Sequence, residues 1–265
     1  MELRARRVAH VATVVAALGF HASVAPGQAP AQAQPTITRL LAAGQPVFGI
    51  FSGPHTPEQG AVMARSGDLD FVFYSLESGP FDIPGMQAYM DGMRRSMGDR
   101  PAHPVALRIP PIRDGSDVAR ERVRQALAAG VASIVFPHVE AARDAAVAVE
   151  AMGPELWPVN PNGRLVAMLI IEDTAGVART REIVSTPGVS VVFAGPGDLR
   201  RAYNGDMAAV ERAIQTVLAA CNEFNVPCGI TAGVDDIAAR LAQGFRVIIV
   251  TQAEALAVGK RAAGR

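Results

Sequence analysis

Lysine is almost absent from this sequence: of 25 basic side chains, only Lys260 is a lysine, and it lies five residues from the C-terminus. A lysine that forms a Schiff base must be buried beside its substrate. The tail position therefore argues against lysine-type aldolase chemistry and against pyridoxal phosphate, and carbanion chemistry would need a metal instead. An excess of one charge is lacking too. The 25 basic and 25 acidic side chains balance, and no basic stripe gives a nucleic-acid footprint, so no nucleic-acid partner is expected. Beyond about the first twenty positions no apolar run is long enough to span a membrane, so no span is expected in the mature chain. No G-x-G-x-x-G follows the first apolar run, which weighs against a dinucleotide-binding open sheet. Cysteine is limited to Cys221 and Cys228, seven apart across a predicted helix end and the following strand. An oxidising compartment permits a bridge, but spacing alone does not establish its geometry, and two separate thiols are the expectation.

What is present begins with a distinct N-terminus. Arg4, Arg6 and Arg7 precede the apolar stretch 8–20, and the Ala/Pro/Gln-rich PGQAPAQAQP follows, with small residues at Ala31 and Ala33. That is the layout of a secretory signal peptide and linker over 1–34. It predicts an exported protein, periplasmic or secreted, with one domain over 35–265. Removing residues 1–33 takes away three Arg and one Glu and leaves a mildly acidic chain.

Along the remainder, eight short apolar runs recur, each bounded by turn residues: 47–51, 69–75, 105–109, 132–137, 165–172, 189–195, 228–231 and 246–251. Ala/Arg-rich stretches of helical character follow them, at 56–66, 84–96, 116–129, 140–151, 174–184, 207–223, 234–242 and 252–263. Parallel strands buried on both faces alternate with covering helices in this way. Gly130, Gly188 and Gly244 lie just before strands, where a helix has to stop. Eight units fit the length without a spare segment, which predicts an α/β fold of the (β/α)8 TIM-barrel type.

In such a barrel the active site is built where strands end and helices begin. The chemically forceful residues at the ends of these runs are Arg108, His138, Glu172 and Asp198, with Ser75, Glu77 and Ser78 after the second run. An ionised carboxylate at the rim of the apolar run LVAMLII needs a partner: a cation, a backbone amide or a metal. Asp198 follows Gly195-Pro196-Gly197, which lets the main chain approach a ligand closely. Glu172 and Asp198 from adjacent strand ends suit one hard cation, Mg²⁺ or Mn²⁺. The competing reading is that each is an acid favoured by a helix N-terminus. Arg108 suits a bidentate grip on a carboxylate, or alternatively a salt bridge in the barrel mouth. His138 stands open between a titrating imidazole at the mouth and a structural histidine. His55, in the loop after the first run, is a weaker candidate, and His103 precedes its strand on the stability face.

At these residues the sequence resembles the HpcH/HpaI family of 2-oxo-acid aldolases, related to the citrate lyase β subunit. The resemblance rests on DFVFYSLESGPFDI at 70–83, VALRIP at 105–110, GVASIVFPHVEAARDA at 130–145, LVAMLIIEDTAGV at 165–177 and PGVSVVFAGPGDLR at 187–200. The separation of 26 between Glu172 and Asp198 fits the family's metal pair. The resemblance implies a divalent-metal-dependent carbon–carbon lyase acting on a 2-oxo acid through a metal-stabilised enolate. It makes Glu172 and Asp198 the metal ligands, gives Arg108 the substrate carbonyl, and gives the amides of Gly197 and Asp198 its carboxylate. It also implies a homo-oligomer, trimer or hexamer, with the last helices between subunits. The family's D-x-E-H is here Ser75-Leu76-Glu77-Ser78, so its aspartate and histidine are replaced and Glu77 survives. Ser78 is able to hold a metal's water but is too poor a base to replace histidine, which leaves His138 as the candidate replacement. Ala128 and Gln252-Ala253 stand where the family has further acids. The alternative function is an exported barrel that binds a metal and an oxo acid without turnover.

Overall fold

The computed structural model of the protein describes residues 36–265, so the signal peptide and linker expected over 1–34 lie outside the described residues. In chain order the elements are α1 (Thr36–Ala42), β1 (Val47–Phe51), α2 (Pro57–Met63), β2 (Phe71–Ser75), α3 (Ile83–Met97), β3 (Val105–Arg108), α4 (Ser116–Ala128), β4 (Ser133–Phe136), α5 (Ala142–Met152), β5 (Val166–Ile171), α6 (Thr174–Ala178), α7 (Thr180–Val184), β6 (Val191–Ala194), α8 (Pro196–Ala202), α9 (Met207–Glu223), β7 (Cys228–Ala232), α10 (Ile237–Gln243), β8 (Val247–Val250) and α11 (Glu254–Ala262). The strands pair in parallel and in sequence order, and β8 closes on β1 with Val47 opposite Val247. The chain is a (β/α)8 barrel, as its eight apolar runs predict.

Strand alternation sorts the core into two layers. On β5, Val166, Met168 and Ile170 join the barrel interior, while Ala167, Leu169 and Ile171 face the helices. Of the three phenylalanine rings in the interior, Phe71 and Phe193 each need a glycine opposite. A Cβ on Gly49 would stand 2.3 Å from the Phe71 ring, and one on Gly229 would stand 2.2 Å from the Phe193 ring. Alternating bulky and absent side chains in this way makes the barrel a packed core rather than a pore.

Two short helices went unforeseen. Ile37, Leu40 and Leu41 of α1 pack into the interior cluster and plug its lower end, each burying a side chain that contributes roughly 1.5–3 kcal/mol. Helix α8 starts at Pro196, a residue pre-set for the first helical turn. The single helix expected over 174–184 is broken at Arg179 (φ −115°, ψ 17°). There the Thr180 hydroxyl donates to the carbonyl of Val177 at 2.9 Å, a local bond that competes with the helical ladder.

The lower end also explains the lone lysine. Asp70, just before β2, accepts from the Phe48 N–H at 2.9 Å, from Lys260 Nζ at 2.7 Å and from both Arg265 guanidinium nitrogens at 2.9 Å. This cluster ties the C-terminus to the base of the barrel, far from any substrate-binding mouth. Cys221 and Cys228 are free, buried thiols with Sγ atoms 2.8 Å apart. No helix of the described residues is long and apolar enough to cross a membrane.

Candidate active site

The mouth of the barrel gathers side chains from five strand ends. Arg108 closes β3, and its guanidinium lies 5.3 Å from the centre of the Phe73 ring. Its Nε donates to Ser75 Oγ at 2.9 Å, and its terminal nitrogen pairs with Glu77 Oε2 at 3.0 Å. The aromatic floor, the hydroxyl and the carboxylate fix the plane of the guanidinium, which is what bidentate or carbonyl-directed binding requires.

Two strands on stands Glu172, 2% exposed at the end of β5. It fits there because position 195 is glycine: a Cβ at Gly195 would stand 2.7 Å from Glu172 Oε2. Glu172 Oε1 accepts from the backbone N–H of His138 at 3.0 Å. His138 itself sits at φ 52°, the left-handed region that few residues other than glycine adopt. Such backbone costs on the order of 1 kcal/mol and persists where the surroundings impose it. Here it turns the imidazole so that Nδ1 lies 3.0 Å from Asp173 Oδ2 and Nε2 lies 3.6 Å from Glu77 Oε1. Asp173 is in turn 3.8 Å from Arg113, which also pairs with Glu140 at 2.8 Å.

These contacts leave Glu172 short of positive charge. Burial pushes its carboxyl up to about 8, and the negative charges of Asp198 and then Glu77 push the same way. The His138 N–H and Arg108 pull in the other direction without restoring the usual carboxylate range. A buried acid held this far from its ordinary ionisation, in a cleft of like charges, marks a site rather than a structural ion pair.

Asp198 lies in the first turn of α8 at the same rim and forms an ion pair with Arg201 one turn on. Gly197, beside it, is exposed with open space around its Cα. Their amides belong to the first turn, where backbone N–H groups have no intrahelical acceptor. Ser78 is exposed in the loop after β2. His55 stacks on Tyr74 at 3.9 Å, and Tyr74 packs in the layer between sheet and helices, which keeps His55 off the mouth. Sequence reading passed over Ser75 and Asp173 as partners, although both stand at strand ends. The pairing of Asp173 with a residue 35 positions earlier leaves no trace in local pattern.

Among the described residues, Glu77, His138 and Glu172 offer ligand atoms that all lie within 4.8 Å of one another. Oxygen and imidazole donors around a buried carboxylate that lacks a counter-charge fit a divalent cation. A groove of about 730 Å³ at the opposite end, beside Trp157 and the two cysteines, is lined by no carboxylate or imidazole and offers no comparable chemistry.

Residues 95–253 match the family described as HpcH/HpaI aldolase/citrate lyase. A hydroxypyruvate/pyruvate aldolase of Delftia acidovorans is 29% identical over 240 residues, covering 79% of this chain and 83% of its own. One from Roseovarius nubinhibens is 27% identical over 251 residues, covering 82% and 93%. The crystal structure of an HpcH/HpaI aldolase/citrate lyase family protein from Burkholderia cenocepacia superposes with a TM-score of 0.71 at 21% identity, covering 85% of this chain and 95% of that one.

Proposed function

The chain belongs to the HpcH/HpaI aldolase/citrate lyase family, and on that premise we propose that it is a divalent-metal-dependent carbon–carbon lyase acting on a 2-oxo acid. The names of its relatives point to pyruvate or hydroxypyruvate as that oxo acid. The observation that carries the proposal is the buried Glu172, held at the mouth without a matching cation and across from an arginine locked in plane.

Glu172 and Asp198 would hold the ion, with Mg²⁺ or Mn²⁺ suited to oxygen donors. Such an ion would supply the Lewis-acid charge that stabilises the negative charge released when the carbon–carbon bond breaks. Arg108 binds and polarises the substrate carbonyl, and Ser75 and Glu77 hold its guanidinium in position. The first-turn amides of Gly197 and Asp198 take the substrate carboxylate. Position 78 is an exposed serine, so proton transfer is the weak step, and loss of a general acid/base costs about 10² to 10⁴-fold in rate.

The mature protein is proposed to be exported, periplasmic or secreted, on the strength of Arg4, Arg6, Arg7 and the apolar stretch 8–20. A trimeric or hexameric assembly is proposed from the family resemblance.

The test is an aldol condensation of pyruvate or hydroxypyruvate with a short aldehyde, followed by NMR with and without added Mn²⁺. The expected outcome is metal-dependent product that falls at least about 100-fold in Arg108→Ala. Product formed equally without metal would overturn the proposal. Metal-dependent binding of pyruvate with no product and no exchange of its methyl protons would instead identify a binding protein on the same barrel.

A further inference from the structure

The donor set at the mouth is richer than two carboxylates. His138 stands between Glu77 and Glu172, with Nε2 3.6 Å from Glu77 Oε1 and Nδ1 3.7 Å from Glu172 Oε1. Metal–nitrogen and metal–oxygen bonds of about 2.0–2.2 Å place two ligands of one ion about 3–3.5 Å apart, close to the Nε2–Glu77 separation, and one donor atom from each of Glu77, His138 and Glu172 lies within 4.8 Å of the others. The remaining contacts have the pattern of a ligand. An imidazole that binds a metal gives its other ring nitrogen to a carboxylate, which fixes the tautomer and the ring plane. Asp173 Oδ2 occupies that place on Nδ1 at 3.0 Å and leaves Nε2 facing Glu77. Glu77 is divided likewise, with Oε2 on Arg108 and Oε1 toward the imidazole. The left-handed backbone at His138 and its N–H bond to Glu172 hold the ring at the rim.

Building on the metal-dependent reading above, we infer that His138 is itself a metal ligand, adding its Nε2 and Glu77 to the Glu172–Asp198 pair, with Asp173 as the outer partner of the imidazole. The consequence is selectivity. Oxygen-only sites suit Mg²⁺, whereas an imidazole among carboxylates favours Mn²⁺, Co²⁺ or Zn²⁺. The assignment commits His138 to holding the cation rather than to moving the substrate proton.

The experiment is pulsed EPR of the full mature protein loaded with Mn²⁺, alongside Mn²⁺, Co²⁺ and Mg²⁺ affinities by titration. The wild type is expected to show the hyperfine coupling of a directly bound ¹⁴N. His138→Asn, in which asparagine tolerates the left-handed backbone, is expected to lose that coupling and to bind Co²⁺ at least about 10-fold more weakly. Its Mg²⁺ affinity should change by less than about 3-fold, since an oxygen-seeking ion gains little from imidazole. Asp173→Asn should lower Co²⁺ affinity about 10-fold while keeping the coupling. Mn²⁺ bound by the wild type without nitrogen coupling would overturn the inference and leave the lyase reading standing. Failure of the wild type to bind any of the three ions would overturn both.

Discussion

At the lower end of the barrel, Asp70 buries its carboxylate, 5% exposed, against Lys260, Arg265 and the Phe48 N–H. At the mouth, Glu172 buries its own, 2% exposed, against one backbone N–H and the negative charges of Asp198 and Glu77. Both pay the cost of removing a carboxylate from water, but only Asp70 recovers it within the protein. A buried carboxylate whose surroundings supply matching cations is a structural clamp, whereas one left short of them, like Glu172, holds its proton and suits a cation that displaces it. The scarcity of lysine sharpens the contrast. The single lysine is spent on Asp70, and the mouth is furnished with arginine, which stays charged and cannot serve as an amine nucleophile.

The largest break in this contrast comes from Glu172→Gln, which removes the carboxylate that a cation would pair with. Metal binding by titration should fall by about 100-fold or more, while the barrel still folds by circular dichroism. Asp70→Asn should do the reverse. It strands Lys260 and Arg265 in a poorly hydrated setting, costing on the order of 3 kcal/mol in urea denaturation, and leaves Mn²⁺ affinity unchanged.

A smaller effect lies in the pH dependence of the metal-free protein. The Glu172 carboxyl is raised to about 8 in the folded state from an ordinary 4.5, so the folded form holds a proton that the unfolded chain releases. Stability from this group is complete below about pH 4.5 and is lost as pH rises toward about 8. Mn²⁺ competes with that proton, so its affinity should rise with pH over the same window and level off above it. Both slopes should flatten in Glu172→Gln, as read from denaturation midpoints and titrations at stepped pH. The smallest change is expected for Arg201→Ala, whose exposed pair with Asp198 should contribute less than about 0.5 kcal/mol.

Much of this was legible in the sequence, for reasons that particular residues illustrate. Runs such as VAMLII on β5 are buried on both faces, so their composition alone marks a parallel strand. The order of strands followed because each run closes on its neighbour. Helix α1, TITRLLA, was invisible because seven residues are too few to show a stripe, and its role as a plug depends on the open base of a barrel already formed. Helix α8 read as a turn because Gly-Pro-Gly is turn chemistry until Pro196 is seen to start a helix. At the site, the strand-end rule led to Arg108, His138 and Glu172, since a barrel displays its strand ends on one rim. The rule was silent on which of them touch. The bond of His138 to Asp173 and the lock of Ser75 on Arg108 join residues 35 and 33 positions apart through the closed sheet. The left-handed backbone at His138 breaks the local preference of that residue, so sequence pattern did not foretell the direction of its ring.

The most direct test is proton–deuterium exchange at the methyl group of pyruvate, followed by NMR in D₂O with the purified protein, with and without Mn²⁺, for wild type and Glu172→Gln. Exchange that requires Mn²⁺ and disappears in the variant is the predicted result. Exchange that proceeds without metal, or survives unchanged in Glu172→Gln, would contradict the assignment of the mouth as a metal-dependent lyase site.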